Sequence, residues 1–113
     1  MAIVKQVPAV PVVPAVRTLR IIGGRWKVYV LYHLFEQPRR LSELRRLMPT
    51  VSKKVLVDAL RELKEHGIVR RKVFAKVRPR VEYSLTKLGA TLEPIVDSLC
   101  EWSRQHAAAL RDL

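Results

Sequence analysis

Six side chains lie within ten residues: Ser52, Lys53, Lys54, Val57, Asp58 and Arg61. Their types suit reading a surface of hydrogen-bonding edges better than breaking bonds. Lysine and arginine donate to phosphate oxygens or to O6 and N7 of guanine. Aspartate accepts from the amino group of cytosine, and valine packs on the methyl of thymine. Further cations flank this stretch: Arg39 and Arg40 before it, with Ser42 beside them, and Lys76, Arg78 and Arg80 after it. Bond-making chemistry has little to work with. His33, His66 and His106 are far apart and lack metal-ligand spacing, and Cys100 is the sole thiol. There is no Ser-His-Asp pattern and no close carboxylate pair, so the chain does not read as an enzyme and needs no cofactor or metal.

These residues need elements to hold them. Ser52 is a good N-cap for a helix from about Lys53 to His66, with Gly67 at its C′ position. At 100° per residue Leu56, Leu60 and Leu63 share one face of that helix. Lys54, Asp58 and Arg61 then fall on the opposite face, with Lys53 and Val57 at its border. Ser42 reads as the cap of a shorter preceding helix, Glu43–Leu47, which Pro49 stops. Two short helices joined by a tight turn form a helix-turn-helix.

Two strands follow, Ile68–Phe74 and Arg80–Leu85, joined by a basic hairpin tip at residues 75–79. Thr86 caps a long last helix. Leu88, Leu92, Ile95, Leu99, Trp102, His106 and Ala109 recur on it at four- and three-residue steps, a heptad-like seam suited to a second copy of the chain. Pro94 falls inside this span and predicts a bend. Upstream, residues 1–13 read as an extended Val/Ala/Pro arm. Pro14 opens a short helix through Ile22, which Gly23 and Gly24 end, and an apolar helix follows from about Arg25 to Glu36. Residues 14–113 thus form one mainly α domain with a small β-hairpin, a winged helix-turn-helix.

The charge distribution agrees. The 113 residues carry a formal net charge of +12, and residues 37–80 hold fourteen bases against four acids. Residues 81–113 are net acidic. One basic working surface is expected, with double-stranded DNA as its partner. No apolar run is long enough to span a membrane, so a cytoplasmic protein of a prokaryotic nucleoid is expected. An architectural chromatin protein without a specific operator, or a protein-assembly module using the last helix, remain alternatives.

Several segments resemble one family. Ile22-Gly23-Gly24-Arg25-Trp26 is similar to a signature of HxlR-type transcription regulators. So are Arg39-Arg40-Leu41-Ser42-Glu43-Leu44-Arg45, Ser52-Lys53-Lys54-Val55-Leu56, Leu60-Arg61-Glu62-Leu63 and Gly67-Ile68-Val69-Arg70-Arg71. Pro79-Arg80-Val81-Glu82-Tyr83-Ser84-Leu85-Thr86, followed by Leu88-Gly89, resembles the family's wing strand and last-helix start. The resemblance spans about residues 14–107. It implies a homodimeric regulator joined through its terminal helices and recognising an inverted-repeat operator. On that reading Leu92, Ile95, Leu99, Trp102 and His106 form the dimer seam. Many such regulators carry a cysteine just before the first helix, and the matching position here is Val13. A thiol sensor at that position is therefore not expected, and the effector is not legible.

Overall fold

The computed structural model describes residues 13–74 and 80–113. Helix α1 (Pro14–Ile22) begins with its proline in the first turn and ends at Gly23. Gly24, at φ 89°, turns the chain into α2 (Lys27–Glu36). Val30, Leu31 and Leu34 of α2 are buried, which makes it the central helix of the core. The Lys27 start lies two residues later than expected, because Trp26 is the residue before the first full turn.

After α2 comes an element that the sequence does not announce. Arg39–Arg40 forms strand β1, pairing antiparallel with β3 (Arg80–Leu85) through Arg39↔Tyr83 and Arg40↔Glu82. The sheet has order β1-β3-β2, with β2 at Val69–Phe74. Helix α3 (Leu41–Leu47) starts directly from β1. Ser42 is therefore inside the first turn of α3 and is not its cap. The start is closed instead by Glu43, whose Oε1 accepts from the Arg40 backbone N–H at 2.8 Å. A carboxylate in the first turn serves as well, because it meets both an orphan N–H and the positive end of the helix.

Helix α4 (Lys53–Glu65) is capped as expected: Ser52 Oγ accepts from Val55 N at 3.1 Å. At its far end Gly67 N–H donates to the Lys64 carbonyl and Ile68 N–H to the Leu63 carbonyl, a Schellman closure. That closure needs φ 76° at residue 67, which glycine adopts without strain. Leu56, Leu60 and Leu63 are at most 1% exposed and pack with Leu31, Leu44, Ile68 and Val69.

The last segment differs most from expectation. It is two helices, α5 (Lys87–Ala90) and α6 (Glu93–Gln105), with only turns beyond His106. Pro94 lies in the first turn of α6. Having no N–H, it cannot bond the Ala90 carbonyl, so the helix breaks at Thr91 and Leu92 and restarts where proline is tolerated. Thr86 fixes the approach: its hydroxyl donates to the Gly67 carbonyl at 2.6 Å and accepts from Gly89 N at 3.0 Å. Gly89 is pressed against the Ile68 carbonyl, where a Cβ would clash with backbone. Gly89→Ala is expected to destabilise the fold by about 1–3 kcal/mol in denaturant unfolding, because backbone there has little room to shift. An unchanged midpoint would show that α5 is not held against Ile68.

Candidate nucleic-acid interface

The core leucines of α4 decide which side of it faces out. Lys53, Lys54 and Arg61 are exposed, and Asp58 and Val57 are half-buried beside them. The helix is also tied sideways. Lys27 Nζ of α2 meets Glu62 Oε1 at 2.7 Å, and that lysine is largely covered. The pair draws the Glu62 carboxyl below its usual range through its hydrogen bond with Lys27.

On the outer stripe Asp58 is shared by two cations. Its Oδ2 accepts from Lys54 Nζ at 2.9 Å and its Oδ1 from Arg61 Nη2 at 3.1 Å. Hydrogen bonds from Lys54 first and Arg61 second hold the Asp58 carboxyl below its ordinary value. Asp58 therefore stays ionised at neutral pH, with acceptor capacity already in use.

The wing lies next to this helix. A groove of about 230 Å³ is lined by Val57, Leu60, Arg61 and Lys64 of α4, Arg71 of β2 and Tyr83 of β3. Helix and wing cations thus converge on one cleft. Arg70, Arg71 and Lys72 of β2 are all exposed, and they are absent from the contact residues expected from the sequence. The signal that could have found them is three consecutive cations on a strand. Arg80 is exposed and lies 4.9 Å from the Phe74 ring centroid, with Lys72 at 5.0 Å from the same ring. Lys76 and Arg78, expected at the hairpin tip, lie outside the described residues, as does the arm before Val13. On the other flank of α4, Gly23 to Lys27 line a second groove with Val55, Asp58, Ala59 and Glu62. Arg25 stands beside this groove, 5.3 Å from the Trp26 ring centroid.

Arg39 is a correction. Expected as a backbone clamp, it turns inward: Nε donates to the His33 carbonyl at 3.3 Å and Nη2 to Glu36 Oε1 at 2.5 Å. Its side chain is only 13% exposed, so it closes the α2 C-terminus rather than offering charge to a partner. Partial burial first, and Arg39 second, push the His33 imidazole below its usual value. Arg40 and Ser42 remain exposed, as do Arg45 and Arg46.

A second surface is apolar. Ile95, Leu99 and Trp102 of α6 are 46%, 51% and 56% exposed. His106 stacks on Trp102 with ring centroids 4.9 Å apart. Leu92, expected on the same seam, is buried in the chain's own core, because the break before α6 turns it inward. Val96 is buried as well. Val16 and Leu19 of α1 and Tyr29 and Tyr32 of α2 are likewise exposed. Among the described residues no cluster of His, Cys, Asp or Glu is placed to hold a metal, and no helix is long and apolar enough to cross a membrane.

Residues 21–110 match the family model of the HxlR-like helix-turn-helix. This chain belongs to the HxlR-like family. It is a transcription regulator with a helix-turn-helix DNA-binding fold, and DNA is its partner. Among the proteins similar to this chain, the HTH-type transcriptional regulator YkvN of Bacillus subtilis is 48% identical over 90 residues, 80% of this chain and 76% of YkvN. YtcD of the same organism is 47% identical over 89 residues, 79% of this chain and 71% of YtcD. The redox regulator HypR in its reduced form superposes with a TM-score of 0.84 at 42% identity, covering 89% of this chain and all of HypR. The family and these relatives are regulators rather than enzymes.

Proposed function

We propose that this regulator binds an inverted-repeat operator as a homodimer, with α4 of each protomer in the major groove. The observation that carries the reading is α4 itself: a helix pinned by buried leucines on one side, with Lys53, Lys54, Val57, Asp58 and Arg61 on the other. Ser52 closes its N-terminus. Arg40, Ser42 and the exposed β2 and β3 cations supply backbone contacts around it, with Lys76 and Arg78, which lie between the two strands in sequence, as further cations for the backbone. Ile95, Leu99, Trp102 and His106, with the apolar side of α1, are the self-association surface. Such a protein works in the cytoplasm, on the nucleoid.

The test is binding to a duplex selected from a random library and to a random duplex, in rising salt. The selected duplex should keep a preference of roughly 10³-fold or more. An architectural protein would lose both DNAs together, and an assembly module would bind little of either. Arg80→Ala should weaken both DNAs by similar factors and flatten the salt slope by about one unit for each phosphate left unneutralised in each half of the dimer. A change confined to the selected duplex would mean that Arg80 reads bases.

HypR is a redox regulator, but the thiol inventory here supports a different input. Val13 precedes α1, and Cys100, partly buried on α6, is the sole cysteine. Diamide or peroxide should leave operator affinity unchanged, and Cys100→Ser should bind like the wild type. Non-reducing electrophoresis provides the check. A covalent dimer together with an affinity change absent from Cys100→Ser would overturn the expectation.

A further inference from the structure

Lys54, Asp58, Arg61 and Glu65 follow one another along the outside of α4 at four-, three- and four-residue steps, with charges alternating in sign. Asp58 is engaged on both oxygens, by Lys54 at 2.9 Å and Arg61 at 3.1 Å, and Arg61 Nη1 also faces Glu65 Oε2 at 3.6 Å. Among the described residues, other exposed cations on and around this helix, such as Lys53, Lys64, Arg70, Arg71, Lys72 and Arg80, have no carboxylate within ion-pair distance. The interface therefore has unneutralised charge at its flanks and neutralised charge on the stripe aimed at the bases.

We propose that Asp58 is a specificity-determining residue that withholds Lys54 and Arg61 from DNA until a matching base edge takes its place. This rests on the reading of α4 as the recognition helix. Phosphates attract any free cation regardless of sequence. Lys54 and Arg61 held on one carboxylate add less to that generic attraction than the flanking cations do. A guanine offers O6 and N7, two acceptors that replace Asp58 as partner of Arg61 or Lys54. The cytosine paired with it offers an amino donor in the same groove, which gives the released Asp58 oxygen a new bond. At a matching site the exchange conserves hydrogen bonds. At another sequence the carboxylate is left facing acceptor groups or phosphate, so the penalty falls on wrong DNA. Exposed ion pairs are weak in the free protein, so the effect belongs to the bound state.

The experiment measures affinity against salt for a wild-type-selected duplex and a random duplex of equal length. The proteins are wild type, Asp58→Asn and Asp112→Asn. The last removes the same charge at the exposed C-terminus, away from α4. Asp58→Asn should bind random DNA about tenfold tighter with a steeper salt slope, because Lys54 is freed for phosphate and Arg61 keeps only its longer contact with Glu65. Its affinity for the selected duplex should change less than about threefold, so the preference drops. Asp112→Asn should shift both duplexes equally. Circular dichroism should show Asp58→Asn folded, because Asn keeps the size of this half-buried side chain. An unchanged preference in Asp58→Asn, or an equal loss in Asp112→Asn, overturns the proposal while leaving α4 as the reading helix. A wild type that does not prefer its selected duplex overturns both.

Discussion

Trp102→Glu is expected to convert the protein to monomers and abolish tight operator binding. Trp102 leaves 56% of its surface exposed, in line with Leu99 and Ile95 one and two turns before it. These side chains contribute little to the chain's own core, which draws on Val96 from the same helix. A glutamate there leaves the protomer folded but would place an unpaired charge in a dimer interface, where aromatic anchors carry much of the energy. Losing the second protomer removes the effective-concentration gain of two linked half-sites, roughly 10²–10⁴ in affinity. Light scattering and a titration with the selected duplex check the two halves of the statement. A wild-type mass of one chain at micromolar concentration would end the dimer proposal.

Lys54→Ala and Arg61→Ala are each expected to weaken operator binding by about 1–3 kcal/mol for every base edge the side chain reads, and to change the preferred sequence. Alanine is the best helix former, and the ion pairs removed are exposed, so α4 itself should persist. Any weakening then belongs to DNA recognition. Competition titrations against a panel of single-base operator variants would read it, with relaxed discrimination at one position per substitution. Unchanged affinity and unchanged preference after both substitutions would mean that another surface reads the DNA.

The elements that position α4 were legible because several local signals coincided. A 3.6-residue leucine stripe, Ser52 before it and Gly67 after it mark both the ends and the buried face of the helix. In β3 the alternating Val81, Tyr83 and Leu85 mark the face that packs on the core. Where only one local signal is present, tertiary contacts decide the outcome. Strand β1 is two arginines without room for alternation, and its pairing with β3 joins residues more than forty positions apart, Arg39 with Tyr83 and Arg40 with Glu82. Ser42 has a good cap side chain, but β1 hands the chain to α3 two residues earlier and Glu43 takes the role. Arg39 looked like one more free cation. Its inward turn depends on the Glu36 carboxylate and the His33 carbonyl being presented together at the end of α2. Leu92 followed the seven-residue period, but the missing N–H of Pro94 resets the helix phase and sends it to the core.

The central claim is that two copies of α4 read DNA as a symmetric pair. Selection of bound fragments from a random duplex library, followed by sequencing, tests it most directly. One inverted repeat should emerge, with half-sites a whole number of helical turns apart, about 10–10.5 base pairs or a multiple centre to centre. A library that returns no enriched sequence, or a lone unsymmetrical site, would contradict it.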